Sequence, residues 1–358
     1  MTAVSESADN QPSQNQPPLF QRLRADLILL STALVWGANI LVFKDAINGI
    51  DPWIFSGFRL VFAVVTLGAL AWWEHSYRPP ALRKRPIQVP KLICFCILSG
   101  LVYMLAFVQG IQLTTAGNTA LLLASMPMWT AVLSFFFLAE RLGLPTWGGL
   151  LITFVGTVLV TTQSGSVELA GEYLVGNLFV LFSAIAWAVG TVMSKSLLES
   201  ISPLRLTFIA AVTTVPVHLM ISLVLLSRSP EVAALLVQPK AIAAMAFSGM
   251  FSTGIAYAMW YAGVRVVGGS HAAVYQNVVT LVALVGGWLF LSEPVLPAQI
   301  IGGGLTVAGL LVMRHGRMKE ERKAATESVR VSPLVCEANN DSSQMAIATP
   351  ETPAKAAG

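Results

Sequence analysis

The sequence predicts an all-α integral membrane fold of ten transmembrane helices arranged as two inverted five-helix repeats. Three observations predict it. Of 358 residues, 55% are hydrophobic and only 11% charged, with a mean hydropathy of +0.70, whereas soluble domains carry about 25% charged residues. Such a chain cannot cover a globular surface with polar groups, and lipid suits it as a solvent. Ten apolar runs meet or approach the roughly 20 residues that cross ~30 Å of hydrocarbon at ~1.5 Å rise each. Distinctive residues also recur at a constant separation: Trp36, Lys44 and Pro52 return as Trp187, Lys195 and Pro203, each 151 positions on.

In chain order, residues 1–25 are a Ser-, Gln-, Asn- and Pro-rich tail expected to be disordered, with no signal-peptide pattern. The runs follow at about 27–47, 53–73, 91–110, 117–138, 147–163, 174–195, 204–226, 241–263, 270–291 and 297–313. The fifth and tenth are short and Gly-rich, and their flanking charges favour full spans. Residues 26–163 form the first five-helix unit and 174–313 the second, and 314–358 return to polar, disordered character.

Loop charge sets the orientation. With the N-terminus inside, inner segments hold sixteen basic residues, from Arg22 and Arg24 to the cluster Arg314, Arg317, Lys319, Arg322 and Lys323. Outer segments hold three: Lys44, Arg228 and Lys240. The positive-inside rule therefore places both termini in the cytoplasm of a cytoplasmic (inner) membrane protein. The net charge of +4 follows from this topology and does not point to nucleic acid. Five spans per half make the second half enter the membrane upside down, an architecture of secondary transporters with the substrate near the midplane. Further pairs sit at a separation of 153: Gly110/Gly263, Glu140/Glu293, Gly149/Gly302 and Gly156/Gly309.

These residues give the chain its resemblance to a known family. Trp36-Gly37-Ala38-Asn39, Lys44, Pro52, Arg59, Ala120-Leu121-Leu122, Pro127, Glu140-Arg141-Leu142, Gly149 and Gly156, echoed by Trp187, Lys195, Pro203, Glu293-Pro294, Gly302 and Gly309, resemble EamA-type members of the drug/metabolite transporter superfamily. The resemblance covers about 27–313. It implies export or exchange of small metabolites, often amino acids or related compounds, without a cofactor. Two departures stand out: Thr280 replaces Pro127, so the ninth helix is expected to lack the kink of the fourth, and Ala210 replaces Arg59.

A transport site needs aromatic and small residues with a few polar groups on helices that can rock. Candidates to line it are Trp36, Asn39, Tyr103, Phe107, Asn118, Trp187, Tyr257, Trp260, Tyr261, His271, Tyr275, Gln276 and Asn277. The competing reading is that these aromatics pack against lipid and neighbouring helices. Arg59 lies about six residues, or ~9 Å by helical rise, into the second span. A charge there costs up to ~2.5–3.5 kcal/mol. It either snorkels to the outer headgroups and caps a helix end, or pairs with a substrate carboxylate or with Asp45 or Asp51.

Lys44 and Lys195 end the first helix of each half, where a cation suits the helix dipole and the last carbonyls. Glu140 and Glu293, at the ends of the fourth and ninth helices, read as interfacial anchors or gate partners. Pro127 removes a backbone hydrogen bond and is a candidate hinge. The glycine pairs Gly149/Gly156 and Gly302/Gly309 allow close helix packing or dimerisation, so a monomer or a homodimer is open.

No catalytic residues and no metal site are assigned. Cys94, Cys96 and Cys336 have no metal-ligand spacing, and no Walker sequence is present. No span has an Asp or Glu near its centre, which leaves His218 and His271 as the titratable groups near neutral pH. The leading expectation is a secondary transporter of a small solute through the bilayer, with an amino acid moving outward as the expected cargo. A nucleobase or cationic-drug exporter and a sensor or scaffold without flux are the alternatives. An intramembrane enzyme is disfavoured, because paired mid-span aspartates and zinc-binding His-Glu-x-x-His are missing and Gly268-Gly269-Ser270-His271 imitates a serine protease poorly.

Overall fold

The computed structural model describes residues 19–46, 49–77, 86–114, 116–138, 143–162, 171–291, 296–313, 315, 316 and 319. Among them the chain is all-helical and free of strands. The helices are α1 (Leu19–Ala46), α2 (Pro52–Tyr77), α3 (Val89–Leu113), α4 (Ala116–Leu123), α5 (Met126–Leu138), α6 (Leu144–Thr162), α7 (Leu174–Leu197), α8 (Pro203–Arg228), α9 (Val232–Leu236), α10 (Pro239–Val267), α11 (Gly269–Val274), α12 (Gln276–Leu291) and α13 (Pro297–Met313). Among the described residues eight stretches are long and apolar enough to cross a membrane, and two shorter apolar helices, Leu144–Leu159 and Pro297–Met313, coincide with the fifth and tenth runs.

The polarity of the bundle is that of a protein in lipid. Leu34, Val65, Phe136, Phe137, Trp288 and Phe290 are exposed, whereas Thr32, Thr130, Thr153, Thr157, Ser183, Ser194 and Thr214 are buried. Each of these buried hydroxyls donates to a carbonyl three or four residues back in its own helix. That settles the hydroxyl within its own helix, although Thr157 also reaches Asn277 on a neighbouring one, so small residues can line the interfaces.

Packing recurs at the repeat separation. α1 lies on α10 and α12, and α7, its counterpart 151 residues on, lies on α3 and α5. α2 and α8 pack on one another, with Gly57 under Ser222 and the carbonyl of His218. A Cβ at Gly110 would meet Val180 and one at Gly263 would meet Leu29, and Leu29 and Val180 are themselves 151 apart. Both α3 and α10 contain a π-helical stretch, Cys96–Val102 and Phe247–Ile255, overlapping at the separation of 153.

Two expectations are revised, a third is narrowed, and others fall outside the described residues. Helix α1 begins at Leu19, so Leu19–Ala25 are helical, not part of a disordered tail: hydropathy finds the apolar centre of a span, not its interfacial turns. The ninth span does break, at Tyr275, without a proline. Val278 N–H donates to the Tyr275 carbonyl, as Ser125 N–H does to Leu122 at the break before Pro127, the two bonds being 153 residues apart. The tertiary position sets the break, and proline marks it in one copy alone. The glycine pairs are used inside the chain: a Cβ on Gly149 would lie 2.6 Å from the Gly309 carbonyl, and one on Gly156 2.5 Å from that of Gly302. Finally, residues 1–18 and nearly all of 314–358 lie outside the described residues, as do Glu140 and Glu293.

Gly156→Leu should lower the apparent unfolding temperature of the purified protein sharply, because overpacking a close backbone contact costs about 1–3 kcal/mol. Gly304 has nothing within 4 Å of its Cβ position, so Gly304→Ala should be neutral or stabilising by up to ~1 kcal/mol through helix propensity. Thermal unfolding followed by fluorescence-detected size exclusion separates the two.

Candidate substrate site

The equivalent helices α1, α3, α7 and α10 bring one aromatic cluster together at the middle of the bundle. Trp36 on α1 and Trp187 on α7 meet edge-on with ring centroids 5.7 Å apart. Trp260 lies 5.5 Å from Trp36 and 6.0 Å from Trp187, and Tyr257 5.6 and 5.2 Å from the same two rings. Tyr103 sits 5.0 Å from Trp187 and stacks on Phe107 at 6.1 Å. Tyr261 closes the set at 6.5 Å from Trp187. Trp187 and Trp260 are 2% and 1% exposed. Seven of the sequence candidates therefore form one connected group.

The two tryptophans are equivalent in sequence but not in bonding. The Trp36 indole N–H donates 3.0 Å to the Ser252 carbonyl in the π-helical stretch of α10. A π turn lets i→i−4 bonding lapse locally and frees a carbonyl for such a bond. The counterpart of Ser252 is Ser99 in the π-helical stretch of α3, yet the Trp187 indole N–H is buried without an acceptor. So is that of Trp260.

Beside the cluster lies a cavity between α2, α3, α8 and α10. Its lining contains three pairs related by the repeat separations: Leu60 with Ala211, Gly100 with Thr253, and Met104 with Tyr257. Ser99, Thr207 and Thr214 add hydroxyls. Arg59 does not line this space itself, but its partners Met104 and Thr253 do. Its side chain is 8% exposed, so it does not snorkel to the headgroups. Nη1 donates to the hydroxyls of Thr253 (2.9 Å) and Ser248 (3.3 Å), and Nη2 meets the Met104 sulfur at 3.5 Å. Asp51 is not its partner: that carboxylate accepts from the Trp53 N–H at 2.7 Å and from Gln112. The side chain of Asp45 is outside the described residues.

The remaining candidates lie elsewhere. Asn118 belongs to a chain at the start of α4, donating to Thr114 at 2.9 Å, whose hydroxyl donates to Asn177 at 2.6 Å. His271 Nε2 lies 2.9 Å from Asp26 on α1, at the other end of the bundle, with Tyr275 against its ring. Asn277 accepts from Thr157 at 3.4 Å, and the Gln276 amide N–H approaches the Met126 sulfur at 3.9 Å. The carbonyl oxygens of Asn39 and Gln276 are buried without donors. Pro127 lies in the first turn of α5 and Lys195 in the last turn of α7, the helix-end place expected of it; the Lys44 side chain is outside the described residues. Sequence reasoning missed Asp26, read only as the start of an apolar run, and the acceptors on α10. The π-helical stretches leave no mark in composition, though Ser99 and Ser252 do stand 153 apart. Among the described residues no group of three His, Cys, Asp or Glu could hold a metal ion.

Comparison with known proteins gives the family and the fold. The model of the EamA-like transporter family matches twice, at residues 23–162 and 174–314. The chain is 26% identical over 291 residues to YoaV, an uncharacterised transporter of Bacillus subtilis, covering 79% of this chain and 94% of YoaV. It is 26% identical over 307 residues to a probable terminal-alkyne amino-acid exporter of Streptantibioticus cattleyicolor, covering 84% and 97%. A solved crystal structure shares the fold at a TM-score of 0.65 and 20% identity, covering 81% of this chain and 98% of its own. The chain belongs to the EamA-like transporter family and is a multi-pass membrane protein.

The bonding asymmetry of the tryptophans is testable. Trp36→Phe should lose about 1 kcal/mol, the net worth of one hydrogen bond, on top of the cost of the smaller ring. Trp187→Phe removes a donor that has no acceptor, so it should carry the cost of the smaller ring without that hydrogen-bond loss. Equal effects in detergent melts of the two variants would contradict the assignment.

Proposed function

We propose that this member of the EamA-like family is a secondary transporter that moves a small metabolite, an amino acid or a related compound, outward across the cytoplasmic membrane by alternating access. In this reading residues 26–163 and 174–313 are two five-helix repeats of opposite orientation, ten spans in all, with both termini in the cytoplasm. The shorter helices α6 and α13 are the fifth and tenth spans. The chain works without catalysis, cofactor, metal or nucleic acid, as a monomer or a homodimer.

The observation that carries the reading is the aromatic cluster itself. It stands where α1, α3, α7 and α10 meet, two pairs of equivalent helices, and beside a cavity lined by equivalent residues. Substrate sites of inverted-repeat transporters lie near the midplane between the repeats. Interrupted helices are tolerated at membrane depth where they line such a site, which suits the breaks between α4 and α5 and between α11 and α12. An amino-acid class is favoured by the exporter relative of Streptantibioticus cattleyicolor.

The packing also suggests which way the site faces. At the cytoplasmic end α5 and α11 pack together, Gly269 lying against Ser134 and Thr130, and Asp26 of α1 pairs with His271 of α11. At the outer end α4 leans on α6 and α7, and α12 on α1. The conformer reads as closed to the cytoplasm, with the Asp26–His271 pair as part of the inner closure.

Proteoliposomes loaded with amino acids, purines or cationic drugs should release one of these classes in a protein-dependent, saturable way. Absence of flux for every class would move the chain to the sensor or scaffold reading. His271→Ala should loosen the inner closure: a cysteine placed at Thr130, under Gly269, should label faster from the cytoplasmic side, by several-fold. Unchanged labelling would remove the pair from the gate.

A further inference from the structure

We propose that the Arg59 guanidinium binds a carboxylate of the transported solute. The inference rests on the transporter reading above and names the substrate chemistry of that site. Arg59 is more than nine-tenths buried, and its partners are two hydroxyls and a thioether, all neutral. Among the described residues it has no acidic partner, and Asp51 is engaged at the start of α2. A buried cation with no counter-charge is costly, and in membrane proteins such residues are retained on substrate or ion pathways.

The unused part of the group has a shape. Nε is buried with no acceptor, and Nη2, on the same edge of the guanidinium, meets only the weakly accepting Met104 sulfur. The Nε–Nη2 edge offers the two parallel N–H groups that a carboxylate takes bidentately. Two of the three partners, Thr253 and Met104, line the cavity, so the guanidinium lies one residue behind its wall. Tyr257, which also lines the cavity, and Tyr103 lie close enough to interact electrostatically with Arg59. Both rings touch Trp187, and Trp187 and Trp260 hold further buried N–H groups without acceptors. Three buried N–H groups at this level therefore lack acceptors, and a ligand with acceptor oxygens would supply them. Ala210, the counterpart of Arg59, presents a methyl group to the same cavity, so one carboxylate is bound, in one orientation.

The test uses the full chain in proteoliposomes with the twenty amino acids and simple monocarboxylates, each beside its carboxamide and its decarboxylated amine or alkane. Wild type should favour the acid over its amide at least tenfold. Arg59→Gln should collapse that ratio towards one by lowering acid flux, with amide flux within about twofold, and Arg59→Lys should restore part of it. A merely structural arginine would lower acid and amide alike in a monodisperse Arg59→Gln protein, and that result overturns the proposal. Thermal stabilisation by chloride but by no acid, lost in Arg59→Gln, also overturns it in favour of an inorganic anion site. Absence of flux for every solute rejects the transporter reading instead. Binding then decides the carboxylate: acids must still raise the unfolding temperature of wild type and not of Arg59→Gln, and no shift overturns it.

Discussion

The bundle depends on how closely its helix backbones can approach. Lipid tails are as apolar as leucine, so no hydrophobic gain draws one helix to another, and association rests on close packing and hydrogen bonds between helices. The chain meets that constraint with glycine and hydroxyl residues facing one another. Gly57 sits under Ser222, whose hydroxyl reaches the Trp53 carbonyl at 2.7 Å, and Gly190 sits under Ser99. Gly249 of α10 lies against the Arg59 carbonyl of α2, closer than any side chain would allow. These contacts join the two halves, so the movement proposed for them would slide or hinge on glycine.

The same closeness builds the site. Pressing α10 onto α2 at Gly249 brings Ser248 and Thr253 within reach of Arg59. The π-helical stretch there also exposes the Ser252 carbonyl to Trp36. The extra residue of a π turn thus does two jobs at one level of the bundle, turning hydroxyls towards a cation and a carbonyl towards an indole. An ordinary α-helical register would aim some of these atoms back into their own helix.

Much of this was legible beforehand and some was not, for physical reasons. The separations of 151 and 153 fixed which helices are equivalent, and aromatic residues clustered on both members of one pair, Tyr103 and Phe107 on α3 and Tyr257, Trp260 and Tyr261 on α10 with Phe107 and Trp260 in equivalent positions, pointed to the cluster that Trp36 and Trp187 complete. Periodicity could not reach the break at Tyr275, since the residues there suit a helix and their neighbours impose the turn. Nor could it place His271, whose partner Asp26 lies 245 residues away at the edge of an apolar run. Asn118 was grouped with the cluster by polarity alone, yet its partners at Thr114 and Asn177 hold it at a helix start.

The departures from symmetry are where chemistry can be specific. Two halves of identical lining would offer a solute two equivalent orientations and no preference between its ends. In the proposed carboxylate site, Arg59 against Ala210 at the equivalent position removes that degeneracy, with a charge behind one part of the lining and a methyl side chain in the other half. Trp36 and Trp187 remove it again, one N–H committed to Ser252 and the other buried without an acceptor. Both asymmetries leave donors unfilled around the Tyr103–Tyr257 level, and neither weakens the glycine contacts that join the halves. A duplicated frame can keep its packing symmetric for motion while its polar groups diverge for recognition, because packing is decided by small residues and recognition by a few long ones.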